Sequence, residues 1–198
     1  MALLIKEEQH KQTLMATELE RLRSSLNPHF LFNSLSSLKY LIRKDTSQAI
    51  FFVKTLSSLY RYLLMHEVDE LVLLKDELNF ANDYINLQKI RFSNNISINI
   101  DLGDYYLNFK VFPISIQLLI ENCIKHNKIS DNEPINISIT AVNEYLIIEN
   151  NYNPREGLTN NTGKGIENII KRYLLLTEKK CLFEVINGKY SARIPLIK

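Results

Sequence analysis

The sequence predicts an α+β protein in two parts: a helical hairpin over about residues 1–70, then an α/β domain over about 71–198. Three observations carry this. No glycine occurs before Gly103, and up to residue 92 apolar residues recur at helical spacing. At Ile96 the texture changes to ISINIDL, which alternates strictly as a strand does. From there on, strand-like runs and helical stretches are interleaved.

The elements follow in order. Apolar spacing in KQTLMATELERLRSSL and NSLSSLKYLIRK predicts a first helix from about Glu8 to Lys44. KDTSQAIFFVKTLSSLYRYLLMH reads as a second, with Asp45 or Thr46 as N-cap. The short turn between them predicts an antiparallel pair. A third helix runs from about Lys75 to Phe92. After the ISINIDL strand, FPISIQLLIENCIKHN reads as a helix, with Pro113 near the first turn, where a missing N–H costs least. INISITAVNEYLIIEN gives two strands around Asn143-Glu144, and GKGIENIIKRYLLL a helix opened by glycines. CLFEVINGKYSARIPLI is a hairpin whose Asn187-Gly188 suits a type I′ turn.

Composition narrows the function classes. Of the 198 residues, 45% are apolar and 23% charged, as in an ordinary globular protein. A net charge of +2 gives no phosphate-binding excess, which argues against nucleic acid as partner. The two cysteines, Cys123 and Cys181, form neither a disulfide framework nor a zinc spacing, so a reducing, cytoplasmic setting is expected. No apolar run reaches the roughly 18–20 residues that span a bilayer. Any membrane attachment is therefore expected through a sensor segment not present in this chain.

The stretch LNPHFLFNSL places a proline inside a helical pattern. Pro28 would free the carbonyl of Ser24 and kink the helix just before His29. Leu31, Leu35, Leu38 and Ile42 share one face, expected to be a core stripe. His29, Asn33, Ser36 and Tyr40 share a nearly opposite face, with His29 and Asn33 neighbours at i,i+4. The imidazole is thus expected to point outward with an amide beside it. The plain alternative is a surface histidine next to an incidental kink. Two helices alone close no core, so dimerisation into a four-helix bundle is expected.

Two further clusters bear on chemistry. Glu121, Asn122 and Lys125 lie within one turn and offer an acid, an amide oxygen and an ammonium for base, metal and phosphate. Such residues also make ordinary solvated helix faces. Gly163 and Gly165 precede a helix whose first turn can offer N–H groups to phosphate, a common pattern and a weak signal on its own.

Taken together, LNPHFLFNSLSSLKYLI resembles the phosphoacceptor box of the LytS/YehU-type sensor histidine kinases, with the P-H-F-x-F-N hallmark at Pro28, His29, Phe30, Phe32 and Asn33. LLKDELNFANDYINLQKIRF resembles another segment of that family. The order of E-N-x-x-K-H, a strand ending in Glu-Asn and then G-x-G resembles its ATPase domain. The resemblance covers nearly the whole chain from about residue 18. It implies a Bergerat-type α/β sandwich, a homodimer, and ATP with Mg²⁺. It implies phosphorylation of His29 and transfer to an aspartate of a response regulator. By position, Asn33 would orient the imidazole and Glu121 would polarise it. Asn122 would bind Mg²⁺, and Lys125 and His126 would contact phosphates. Gly163, Lys164 and Gly165 would form the ATP lid, followed by Asn168, and Asn150 would stand at the adenine position.

The sequence departs from the family at three places. Asn150 and Tyr152 stand where D-x-G has aspartate and glycine, Asn161 replaces a lid glycine, and Asn127 replaces the glycine that often ends E-N-x-x-K-H-G. A neutral Asn150 implies weak ATP binding, with a Kd on the order of 0.1–1 mM, and about fivefold tighter binding in Asn150→Asp. The competing readings are a dimeric signalling scaffold with a decayed nucleotide site and, more distantly, another ATPase of this type.

Overall fold

The computed structural model describes residues 28–66, 71–92, 95–155 and 163–198, with the side chains of residues 28, 29, 163 and 164 outside that description. The expected helix over residues 8–27, the kink before His29 and the direction of its imidazole all lie outside the described residues. The chain divides into two compact units, Met1–Glu67 and Val68–Lys198.

The first unit is a helical hairpin. Helix α1 spans Pro28–Lys44 and α2 spans Thr46–Met65. A single residue, Asp45, separates them and acts as the N-cap: its carboxylate accepts from the Gln48 N–H at 3.0 Å. Helix α2 buries Ala49, Phe52, Thr55, Leu59 and Leu63, a regular stripe at steps of three and four. The Thr55 hydroxyl is satisfied by donating to the Phe51 carbonyl at 3.0 Å.

The face of α1 turned to this stripe is one edge of the expected apolar face. Ser34 and Leu41 are buried, while Leu35 is 48% and Ile42 60% exposed. Leu31 and Leu38 are half-buried. At 100° per residue, Ser34 and Leu41 sit on the edge of the apolar arc and Leu35 and Ile42 beyond its centre. Helix α2 covers only that edge. The leucine stripe is therefore a core face in part only within one chain.

The second unit is a five-stranded mixed sheet with helices. After the two-residue strand β1 (Val72–Leu73) comes α3 (Leu74–Phe92), then β2 (Ile96–Asp101), a 3₁₀ turn (Asp104–Asn108) and β3 (Lys110–Val111). Helix α4 (Ser115–His126), β4 (Ile135–Val142), β5 (Tyr145–Asn151), α5 (Gly163–Leu176), β6 (Leu182–Ile186) and β7 (Lys189–Pro195) complete it. Sheet order is β2-β4-β5-β7-β6, with β2 parallel to β4 and every other pair antiparallel. Both hairpin turns use left-handed residues, Asn143-Glu144 and Asn187-Gly188, as a type I′ turn demands.

One face of the sheet is apolar. Ile137, Ile139, Leu146, Ile148, Ala192 and Ile194 lie in register on it, all nearly fully buried. Against them stand Ile116, Leu119, Ile120, Cys123 and Ile124 of α4, spaced at helical intervals, with Ile169 and Tyr173 of α5. Burying one such side chain is worth about 1.5–3 kcal/mol, so this layer dominates the unit's stability.

The start of α4 is anchored from a distance. Glu77, on the first turn of α3, is fully buried. Its two carboxylate oxygens accept from the N–H groups of Ile114 and Ile116, both at 3.0 Å. These are donors that a helix N-terminus otherwise leaves unpaired. Ile114 itself is left-handed, with φ of 69°, a strained conformation for a β-branched residue. Pro113 sits next to the first turn as expected, just before the cap residue Ile114.

Candidate functional site

Helix α4 is amphipathic, and its C-terminal half carries a polar edge beside the buried stripe. Asn122 and His126, one turn apart, lie on that edge. They line a cavity of about 330 Å³ together with Cys123, Asn127, Tyr152, Pro154, Arg155, Ile166, Val185 and Tyr190. The volume falls within the range of small-molecule sites, about 300–1,000 Å³.

The wall opposite α4 is the segment after β5, and it is fastened to the helix end. Asn127 does most of this. Its Nδ2 donates to the Cys123 carbonyl at 2.7 Å, and its Oδ1 accepts from the Asn153 N–H at 2.7 Å. The Lys128 N–H donates to the Asn153 carbonyl at 2.8 Å, and the Arg155 N–H to the His126 carbonyl at 3.0 Å. On the other side the Tyr152 N–H donates to the Gly188 carbonyl at 2.9 Å. Asparagine at 127 thus makes bonds that a glycine could not.

Asn150 lies at the back of this site. It is 2% exposed, on the helix-facing side of β5, directly across from Tyr190 of the cavity wall. Its Nδ2 donates to the Asn151 carbonyl at 2.6 Å. Its Oδ1 is buried without a hydrogen-bond partner. A buried acceptor left unpaired costs about 1–3 kcal/mol, and this one is closed to solvent as the fold stands. Asn150 is not itself among the cavity-lining residues, while the cavity's aromatic and aliphatic side (Tyr152, Tyr190, Val185, Ile166) suits a flat base. The neighbouring Asn151 is purely structural: it accepts from the Asn136 N–H and donates to the Pro134 carbonyl, tying β5 to the start of β4.

The other expected residues fall differently. Glu121 and Lys125 are half-buried on α4 but are not among the cavity-lining residues. Glu121 accepts from Gln117 Nε2 at 2.8 Å. Burial and the Glu121 charge together push the Tyr84 hydroxyl far above its ordinary range. Gly165 packs on α4: a Cβ there would lie 3.0 Å from a Leu118 methyl, so it sets how closely α5 approaches. Asn168 is exposed on α5 and does not line the cavity. Helix α5 begins at Gly163, and the side chains of Gly163 and Lys164 lie outside the described residues. In the hairpin unit, Asn33 is half-buried on α1.

Electrostatics separate the residues that do line the cavity. Burial, aided by the Lys125 charge, lowers the pKa of His126, so its ring is neutral at pH 7. Burial pushes the Cys123 thiol up to about 12, which keeps it protonated and unreactive. Burial likewise raises Tyr190 to about 12. Among the described residues no group of three or more His, Cys, Asp or Glu could hold a metal ion. A metal here would take one protein ligand, such as the Asn122 amide oxygen, and fill its sphere from substrate and water, as Mg²⁺ commonly does. No helix among the described residues is long and apolar enough to cross a membrane.

Sequence reasoning missed Tyr190, Arg155 and Val185 as wall residues. Nothing in their local pattern marks them, since they meet only through strand register and the β5–α5 connection.

Comparison with known proteins agrees with this picture. Residues 17–96 match the histidine kinase family. The sensor histidine kinase BtsS of Escherichia coli K12 is 32% identical over 169 residues, covering 83% of this chain and 30% of that protein. The sensor histidine kinase/phosphatase LytS of Staphylococcus aureus is 31% identical over 150 residues, covering 73% of this chain and 26% of its own. The chain thus spans less than a third of the length of these relatives. Among solved structures, the histidine kinase AdeS of Acinetobacter baumannii is 15% identical and covers 84% of this chain and 94% of its own, with a TM-score of 0.43. At that score the fold assignment stands on the strand order and helix placement of this chain itself. On the sequence matches, the chain belongs to the histidine kinase family and is of the LytS/BtsS sensor type.

Proposed function

We propose that this chain is the kinase core of a two-component sensor, which phosphorylates His29 from ATP and passes the phosphoryl group to an aspartate of a response regulator. The observation that carries the reading is the cavity lined by Asn122 and His126 with the orphan acceptor of Asn150 behind it. ATP supplies the phosphoryl group. The residues of the chain do the positioning, which is most of the work in phosphoryl transfer.

In this reading Asn150 Oδ1 accepts from the adenine amino group, and Tyr190 and Val185 bound the base. The Asn122 amide oxygen holds Mg²⁺. Gly163, Lys164 and Gly165 open the helix that follows the lid, and its first-turn N–H groups face phosphate. Asn33 holds the His29 ring from i+4, and Glu121 has the role of polarising the attacking imidazole. Lys125, off the cavity lining, adds its charge to the burial that lowers the pKa of His126.

The functional form is a homodimer. Support comes from the apolar surface of the hairpin: Phe32, Leu35, Ile42, Ile50, Phe51 and Met65 are 48–70% exposed. That is more than an isolated hairpin normally leaves to water. The working location is the cytoplasm, as part of a longer sensor.

The test is incubation with γ-labelled ATP and Mg²⁺. The expected product carries an acid-labile, base-stable label, absent in His29→Gln. A labelled His29→Gln variant would show that another residue is the acceptor. No label in the wild type, with no nucleotide bound, would favour a dimeric signalling scaffold with a decayed nucleotide site.

A further inference from the structure

The cavity has one permanently charged side chain among its described lining residues, Arg155. The pair that resemblance singles out for phosphate does not supply charge there. Lys125 is not among the lining residues, and the His126 ring is neutral at pH 7. The remaining polar side chains of the lining, Asn122, Asn127, Tyr152 and Tyr190, carry none at that pH. A polyphosphate brings several negative charges into a partly dry site, where an unmatched anion is costly.

Arg155 is also held in place. Its N–H donates to the His126 carbonyl, and Pro154 before it bridges to Asn127. Its side chain is exposed at the wall, and no described carboxylate pairs with it. A guanidinium on a fixed backbone presents a planar fork of donors that matches two phosphate oxygens at once, which an ammonium does not.

We infer that Arg155 is the residue of this cavity that binds the phosphates of the nucleotide. The inference rests on the nucleotide reading above and adds a residue and a charge requirement to it. It divides the site into an apolar end at Tyr190 and Val185 for the base and a cationic end at Arg155 for the phosphates.

The experiment compares binding of adenosine, ADP and a non-hydrolysable ATP analogue to the full chain, by calorimetry, for wild type, Arg155→Ala and Arg155→Lys. Arg155→Ala should weaken the ATP analogue and ADP by about ten- to a hundredfold, the worth of a charge-assisted bond, and leave adenosine within about twofold. Arg155→Lys should lie between wild type and Arg155→Ala for the phosphorylated ligands. Equal weakening of adenosine and the ATP analogue would mean that Arg155 only builds the wall, and would overturn the assignment. So would unchanged binding of all three. A wild type that binds none of them overturns the nucleotide reading itself, and the assignment with it.

Discussion

Asn150→Asp restores the residue that the family pattern expects, and from sequence alone it should tighten ATP binding about fivefold. The structure reverses that expectation. Asn150 spends its Nδ2 on the Asn151 carbonyl at 2.6 Å and leaves Oδ1 free. An aspartate has no Nδ2. Its second oxygen would face a carbonyl oxygen at that same short distance, losing a bond worth about 0.5–1.5 kcal/mol and adding repulsion. The residue is 2% exposed, so the new carboxylate is also stripped of water. Together these cost about 2–4 kcal/mol of stability. The gain from a charged acceptor toward adenine, about 1 kcal/mol, is smaller and is realised only if the side chain keeps its present orientation. Asn150→Asp should therefore unfold at a temperature several degrees lower and bind the ATP analogue no more tightly than wild type. Thermal unfolding with calorimetric titration decides it. A variant as stable as wild type that binds about fivefold more tightly would refute the reasoning, because the Asn151 bond would then count for nothing.

Other expectations follow from the same geometry. Glu77→Gln swaps one of two acceptors for a donor facing a helix N–H, and should cost about 2–4 kcal/mol in urea unfolding; a loss under about 0.5 kcal/mol would contradict the anchoring role. Leu35→Glu places a charge on a residue 48% exposed in the single chain, so it should spare the hairpin fold and break the dimer, seen as a halved mass by light scattering. On the acid side two windows separate. His126 has a lowered folded pKa, so the unfolded chain binds more protons below about pH 6.5 and stability falls from there downward, a slope that His126→Gln should remove. The Lys179 and Lys198 ammonium groups hold Glu144 down to about 2, so its contribution is present above its ordinary value and lost only as pH falls from about 5 toward 2. Glu144→Gln should flatten that lower window alone, in unfolding curves taken from pH 8 to 2.

What was legible in the sequence was whatever is settled within a few residues. Asp45 had to cap, because a carboxylate before a helical run finds its own N–H three residues on. Asn143-Glu144 and Asn187-Gly188 had to turn, because both pairs tolerate positive φ between alternating strands. The α1 stripe was only half legible. Period alone shows that an apolar arc exists, while the partner chosen, α2, decides that Ser34 and Leu41 are covered and Leu35 and Ile42 are not. Pattern singled out Asn150, yet its two amide atoms have opposite fates that no pattern displays.

Glu77 shows why the rest was out of reach. In sequence it is one acidic residue in the first turn of a helix, where acids are common for the sake of the dipole. In the fold it serves a different helix, 37 and 39 residues further on, and is wholly buried. That bond is what lets Ile114 sit in a left-handed conformation just before α4, since the strain of one residue is offset by two charge-assisted bonds. The same helix then presents Asn122 and His126 to the cavity at its other end. The direction of α4, and with it the site, depends on an acid that lies outside the cavity and that no residue near the site points to.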